Sequence, residues 1–184
     1  MTAPSLRTYL LPLPDLTAKS VLKERSAFQV EHLRWVKTTA FRNCFELRSA
    51  DRTESKLTIR GFFRPSAHSE GAEGSWEVEP LNQETGQIVI RSARSFQEAG
   101  VFDMIIPSGG GILRTTGGEA FVFRSNFWKG VAEFQTPSGE SLVRFRYRGL
   151  FRPSADVEIL GKGRSLRELP WILTLGWCLI VAYL

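Results

Sequence analysis

From about Lys19 to Leu160, apolar and polar residues alternate in short runs separated by turn residues. Alternation at a period of two over four to eight residues marks a strand with one face buried. Runs near 27–36, 42–49, 55–63, 74–80, 86–94, 100–107, 119–125, 130–136, 142–151 and 155–160 predict strands. Turn chemistry lies between them at Glu84-Thr85-Gly86, Pro107-Ser108-Gly109-Gly110-Gly111, Gly117-Gly118 and Pro137-Ser138-Gly139. No amphipathic helix of ordinary length separates these runs, so the crossovers of a parallel sheet are missing. The pattern predicts an all-β antiparallel sandwich or barrel. Residues 1–18 carry repeated prolines and read as an irregular lead-in; residues 19–184 read as one domain.

The chain closes on a segment of another kind. Leu169 to Leu184 reads LPWILTLGWCLIVAYL, without a charge. A helix apolar on all sides belongs in a protein interior or in a membrane. As a helix the segment spans about 24 Å at 1.5 Å per residue. A bilayer core is about 30 Å thick and takes about 20 residues, so the segment is short for a span. Lys162, Arg164 and Arg167 precede it, as they would a tail anchor on a cytosolic domain. The same residues fit as the filling of a barrel. Eight strands enclose little beyond their own side chains, but ten or more leave room for a helix about 10–12 Å across. Glu168 and Pro170 suit the first turn of such a helix.

A word recurs: RGFFRPSA at 60–67 and RGLFRPSA at 148–155. The offset of 88 residues exceeds a solenoid period and points to a duplicated half-barrel. Before the second copy, Val143, Phe145 and Tyr147 alternate with Arg144, Arg146 and Arg148. In a strand the apolar set faces the core and the guanidiniums line the outer face. Arg60, Arg64, Arg144, Arg146, Arg148 and Arg152 are therefore the candidate anion- or lipid-binding residues. Side by side, the two copies would form a basic band for lipid head groups. The plainer alternative is cross-strand pairing with Glu and Asp on a solvated face.

Charge and composition add limits. The formal net charge is +5 and most of the basic residues are Arg, which favours anionic partners. Cys44 and Cys178 lie far apart in no metal or disulfide spacing. His32 and His68 belong to no triad or metal pattern. No GxSxG elbow occurs, and neither Gly-rich stretch is followed by GK[ST]. Phe62, Phe63, Phe127, Trp128 and Phe151 could stack bases beside arginines, but core aromatics and a surface pair are the simpler expectation. The reading is of no enzyme, no metal, no cofactor and no nucleic-acid partner. The apolar patch Tyr9–Leu13 is broken by Pro12 and Pro14 and lacks a cleavage site, so a cytoplasmic location is expected.

The end ELPWILTLGWCLIVAYL (168–184), with WEVEPLNQETGQIVI (76–90) and FVFRSNFWKGVAEFQTPSGESLVRF (121–145), resembles the tubby C-terminal-like superfamily. That superfamily includes LURP-one-related proteins and phospholipid scramblases. The resemblance covers roughly residues 20–184. It implies a closed antiparallel barrel of about twelve strands around a C-terminal hydrophobic helix, about 168–184. Tubby proteins bind phosphoinositide head groups through basic residues, and scramblases act at membranes with calcium and a palmitoylated cysteine cluster. This chain lacks that cluster and any DxDxDG-like loop, and no tubby head-group residue is carried over to a position here. The function expected is a non-enzymatic binding module for anionic phospholipid head groups, peripheral at a membrane surface. The alternatives are a tail-anchored membrane protein with a cytosolic β domain and a scaffold protein without its own chemistry. Deleting Leu169–Leu184 separates filling from anchor. A filled barrel loses its cooperative unfolding transition with that deletion, read by circular dichroism; an anchored one keeps it.

Overall fold

The computed structural model describes residues 32–39, 42–50, 52–61, 64–82, 84–105, 109–149 and 151–182. The lead-in at 1–18, the first residues of the expected strand at 27–36, the Phe62–Phe63 pair, Pro107–Ser108 and the last two residues of the expected helix lie outside them.

Twelve antiparallel strands close into one barrel: β1 (Leu33–Lys37), β2 (Cys44–Arg48), β3 (Thr53–Arg60), β4 (Ser66–Gly71), β5 (Gly74–Asn82), β6 (Gln87–Ser92), β7 (Glu98–Ile105), β8 (Gly110–Thr115), β9 (Ala120–Asn126), β10 (Val131–Gln135), β11 (Ser141–Arg148) and β12 (Ser154–Ile159). Neighbours in sequence are neighbours in the wall, and β1 pairs with β12 to close it. Closure leaves no free sheet edge. One helix, α1 (Leu169–Ala182), follows β12.

Two strands escape the alternation pattern. β4 reads SAHSEG and turns only Ala67 and Ser69 inward, so it offers no large apolar signal. β8 opens on the glycines that read as a turn. Gly111 belongs to the strand because the Phe102 ring and the Asp103 carbonyl occupy the place of its Cβ. Glycine here serves a close approach rather than a bend.

The helix fills the interior. Leu169 and every residue from Trp171 to Ile180 are buried. Trp177 stacks parallel to Trp35 at 6.1 Å and takes the edge of Phe45 at 5.5 Å. Trp171 lies against Trp76 at 6.5 Å. Gly176 lets the helix approach the wall: a Cβ there would stand 2.5 Å from the Phe145 ring and 3.1 Å from that of Phe134. One polar tether sets the helix's axial position. Thr174 Oγ1 donates to Ser69 Oγ at 3.1 Å, and Ser69 Oγ lies 2.9 Å from Ser55 Oγ. Both Thr174 and Ser69 are buried and both hydroxyls are satisfied, Thr174 also reaching the Pro170 carbonyl at 3.3 Å. The terminal segment is thus the filling of the barrel rather than a tail anchor. No helix among the described residues is long and apolar enough to cross a membrane.

The repeat is not half a barrel. Its copies occupy β3–β4 and β11–β12, offset by eight strands in chain order where the barrel has twelve. A half would span six. Each copy encodes the same turn. Gly61 has φ +79° and Gly149 has φ +80°, and a Cβ on either would meet the Arg64 or Arg152 carbonyl at 2.5 and 2.8 Å. Register agrees as well, with Arg60 opposite Ser66 and Arg148 opposite Ser154.

Substituting Gly176→Val tests the enclosure. Overpacking against Phe145 and Phe134 should cost about 1–3 kcal/mol in urea unfolding. A helix facing lipid would tolerate the change.

Candidate functional site

In an antiparallel barrel every odd-to-even connection lies at one end and every even-to-odd connection at the other. Helix α1 starts where β12 finishes, at the even-to-odd end, called here the proximal rim. It runs toward the distal rim, where Trp177 meets Phe45 near the start of β2.

The candidate arginines divide into two sets. Arg144, Arg146 and Arg148 stand on the outer wall of β11 and are paired. Arg144 bonds Glu133 at 2.5 Å and Glu158 at 3.2 Å. Arg146 bonds Glu158 at 2.9 Å. Arg148 bonds Asp156 at 3.2 Å, and Arg34 reaches the same carboxylate at 3.2 Å. Cross-strand pairing, the plainer alternative, describes this face. Burial pushes the Glu133 carboxyl up, but hydrogen bonds from Ser141, Arg144 and Gln135 outweigh it and hold the pKa at about 2. The Glu158 carboxyl is held below its usual range by Arg146 and, against the cost of burial, by Arg144. A network already neutralised in this way has little charge left for a ligand.

Arg60, Arg64 and Arg152 form the other set. They are exposed, at the distal ends of β3 and of the two repeat turns, and none pairs with a carboxylate among the described residues. The copies do not lie side by side. β3 and β11 stand four strands apart, roughly 19 Å along the wall at about 4.8 Å per strand. The continuous six-arginine band expected from the sequence therefore does not form. What joins the unpaired arginines is the rim. Arg42 and Lys129, in the β1–β2 and β9–β10 connections, add two more exposed cations there, also unpaired among the described residues. Glu84 is the sole acidic residue among the described connection residues of this rim.

Apolar side chains crowd the same end. Among the described residues, the exposed large hydrophobics are Leu81, Phe96, Ile105, Phe127, Trp128 and Phe151. All but Phe96 sit on the distal rim, at the ends of β5 and β7 or in the β9–β10 and β11–β12 connections. Trp128 is 95% exposed and Phe151 is 93% exposed. Trp128 is held out by a one-turn 3-10 helix, Phe127–Lys129. Asn126 Oδ1 accepts from Lys129 N at 3.1 Å at its start, and Gly130 closes it at φ +61°. The surface pair expected of the aromatics is Phe127–Trp128, with rings 6.1 Å apart. Phe151 is exposed beside them in sequence order but one connection further on. The proximal rim is different. Its connections mix Arg52, Arg94, Lys162 and Arg164 with Glu73, Glu119, Glu140 and Glu168, and Lys162 is paired to Glu140 at 2.9 Å.

Sequence reasoning named Arg60, Arg64 and Arg152 but did not gather them with Leu81, Ile105, Arg42 and Lys129. The signal that unites them is parity: each lies at the end of an odd-numbered strand or in the connection that follows one. Missing β4 and β8 left the count, and hence the parity, unreadable. Elsewhere the chemistry is sparse. His68 lies 3.1 Å from Glu70 and 3.8 Å from Glu77, on the outer wall. No group of three His, Cys, Asp or Glu residues among the described residues could hold a metal ion. Cys178 is buried, and burial pushes its thiol well above its usual range, so it stays unreactive. Comparison with protein-family models, with curated proteins and with solved structures finds no match for the chain.

The Glu133 network gives an acid-labile component of stability. A depressed folded-state pKa stabilises above the unfolded value, near 4.5, and that contribution is lost as pH falls toward about 2. Unfolding free energy should drop by up to about 3 kcal/mol across that window. Glu133→Gln should flatten the drop, as read by urea titrations at stepped pH.

Proposed function

We propose that the protein is a non-enzymatic module that docks its distal rim on acidic phospholipid surfaces. One observation carries this reading: exposed aromatic and aliphatic side chains share one end of the barrel with cations that no carboxylate among the described residues neutralises. Trp and Phe at a polar–apolar boundary enter the interfacial region of a bilayer. Each Arg or Lys beside an anionic surface adds about 1 kcal/mol, roughly fivefold in affinity. In this reading the protein is cytoplasmic and peripheral, held at the inner face by charge and shallow insertion. The resemblance to tubby-like proteins belongs to the same proposal, and the twelve-strand barrel on a C-terminal helix is what supports it.

The paired wall arginines have a different role here. Arg144, Arg146 and Arg148 lace β11 to its neighbours and leave recognition to the rim.

Co-sedimentation with vesicles is the test. Binding should require acidic lipid and weaken as salt shortens the screening length. Replacing Arg60, Arg64 and Arg152 together with Gln should lower affinity by about a hundredfold or more at low salt. Trp128→Ala with Phe151→Ala should weaken binding at high salt as well. Binding indifferent to lipid charge, or equal binding to single-stranded nucleic acid, would count against the reading.

A further inference from the structure

An open groove of about 310 Å³ opens on the distal rim, lined by Arg64, Pro80, Leu81, Asn82 and Glu84. Strand lengths create it. The first β4–β5 partner pair is Ala67 with Val78. Beyond Val78, β5 continues through Glu79, Pro80, Leu81 and Asn82 with only β6 beside it. Arg64, from the β3–β4 connection, lines the groove on that side. Pro80 has no N–H to offer across the gap. At the far end Asn82 Oδ1 accepts from the N–H of Glu84 at 2.9 Å and of Thr85 at 3.3 Å. These bonds pin the turn and hold Glu84 at the groove.

Arg64 and Glu84 line one groove with opposite charges and form no ion pair with each other. A bare polyanion would meet the carboxylate. A metal ion would find one carboxylate and a guanidinium. A ligand that carries both charges satisfies both walls. The volume lies at the lower end of ligand pockets, roughly 300–1,000 Å³, so the ligand is small. We infer that this groove seats the head group of an amine-bearing phospholipid, its phosphate on Arg64 and its ammonium on Glu84. The inference rests on the reading of the distal rim as a membrane-docking face. A guanidinium takes two phosphate oxygens in a forked pair. Pro80 and Leu81 supply an apolar side for the carbon links between the charged groups.

The experiment compares vesicles in which phosphatidylserine or phosphatidylglycerol, at equal mole fraction, supplies the same negative charge. The full chain should bind the serine lipid about threefold more tightly, the scale of one exposed charge pair. Glu84→Gln should bring the two affinities together while leaving binding to phosphatidylglycerol in place. Equal affinities in the unsubstituted protein, or a preference that survives Glu84→Gln, overturn the groove assignment and leave rim docking standing. Loss of binding to both vesicles at low salt overturns rim docking itself. Soluble O-phosphoethanolamine separates the sources of the head group. Its binding, lost on Glu84→Gln and unaccompanied by any vesicle preference, would replace the lipid with a free phosphoamine.

Discussion

The structure depends on a helix with no polar face being surrounded by strands from its own chain. A twelve-strand wall is too wide for its inward side chains to meet across the centre, and an empty interior of that size would forfeit contacts along every strand. Helix α1 supplies those contacts. Trp177 lies between Trp35 and Phe45, Gly176 lets the backbone close on Phe145 and Phe134, and the hydroxyls of Thr174 and Ser69 fix how far the helix slides. Wall and filling need each other. A wall without α1 has no filled core, and α1 without the wall would expose its apolar surface to water.

That dependence assigns the rest of the surface. The interior is spent on packing, and the outer wall of β10–β12 is laced by Arg144, Arg146 and Arg148 with Glu133, Glu158 and Asp156. Lys56 and Arg124 on the wall are exposed without a carboxylate partner among the described residues, and at the distal rim such cations gather in connections whose side chains have no cross-strand neighbours. The two rims differ because of α1 and parity. The proximal rim receives the start of the helix and mixes both signs of charge. The distal rim holds Trp128 and Phe151, with Arg64 and Arg152, which have no carboxylate partner among the described residues.

Much of the architecture was legible in the sequence. Alternation marked the strands with large inward residues, such as Val143-Arg144-Phe145, and the charge-free end marked a helix needing enclosure or lipid. The unread parts have physical causes. β4 presents small and polar residues inward because α1 passes close to it, as the Ser69–Thr174 bond records. β8 begins with glycines because Phe102 claims the space of a side chain at Gly111. Alternation cannot report a strand whose inward positions are kept small for a neighbour. The arginine row was visible, but its neutralisation was not: Glu133 and Glu158 become partners only through the β10–β11–β12 register. The repeat was legible as a word, and its meaning lies in a turn shared by two connections on one rim.

Depth-dependent quenching by brominated lipid tests rim docking and helix enclosure together. The chain has five tryptophans, of which Trp128 alone is on the exposed rim while Trp35, Trp76, Trp171 and Trp177 lie in or against the core. On acidic vesicles, quenching should be shallow and should disappear in Trp128→Phe. Quenching that persists in that variant would place Trp171 and Trp177 in lipid, and the barrel would no longer be the helix's home.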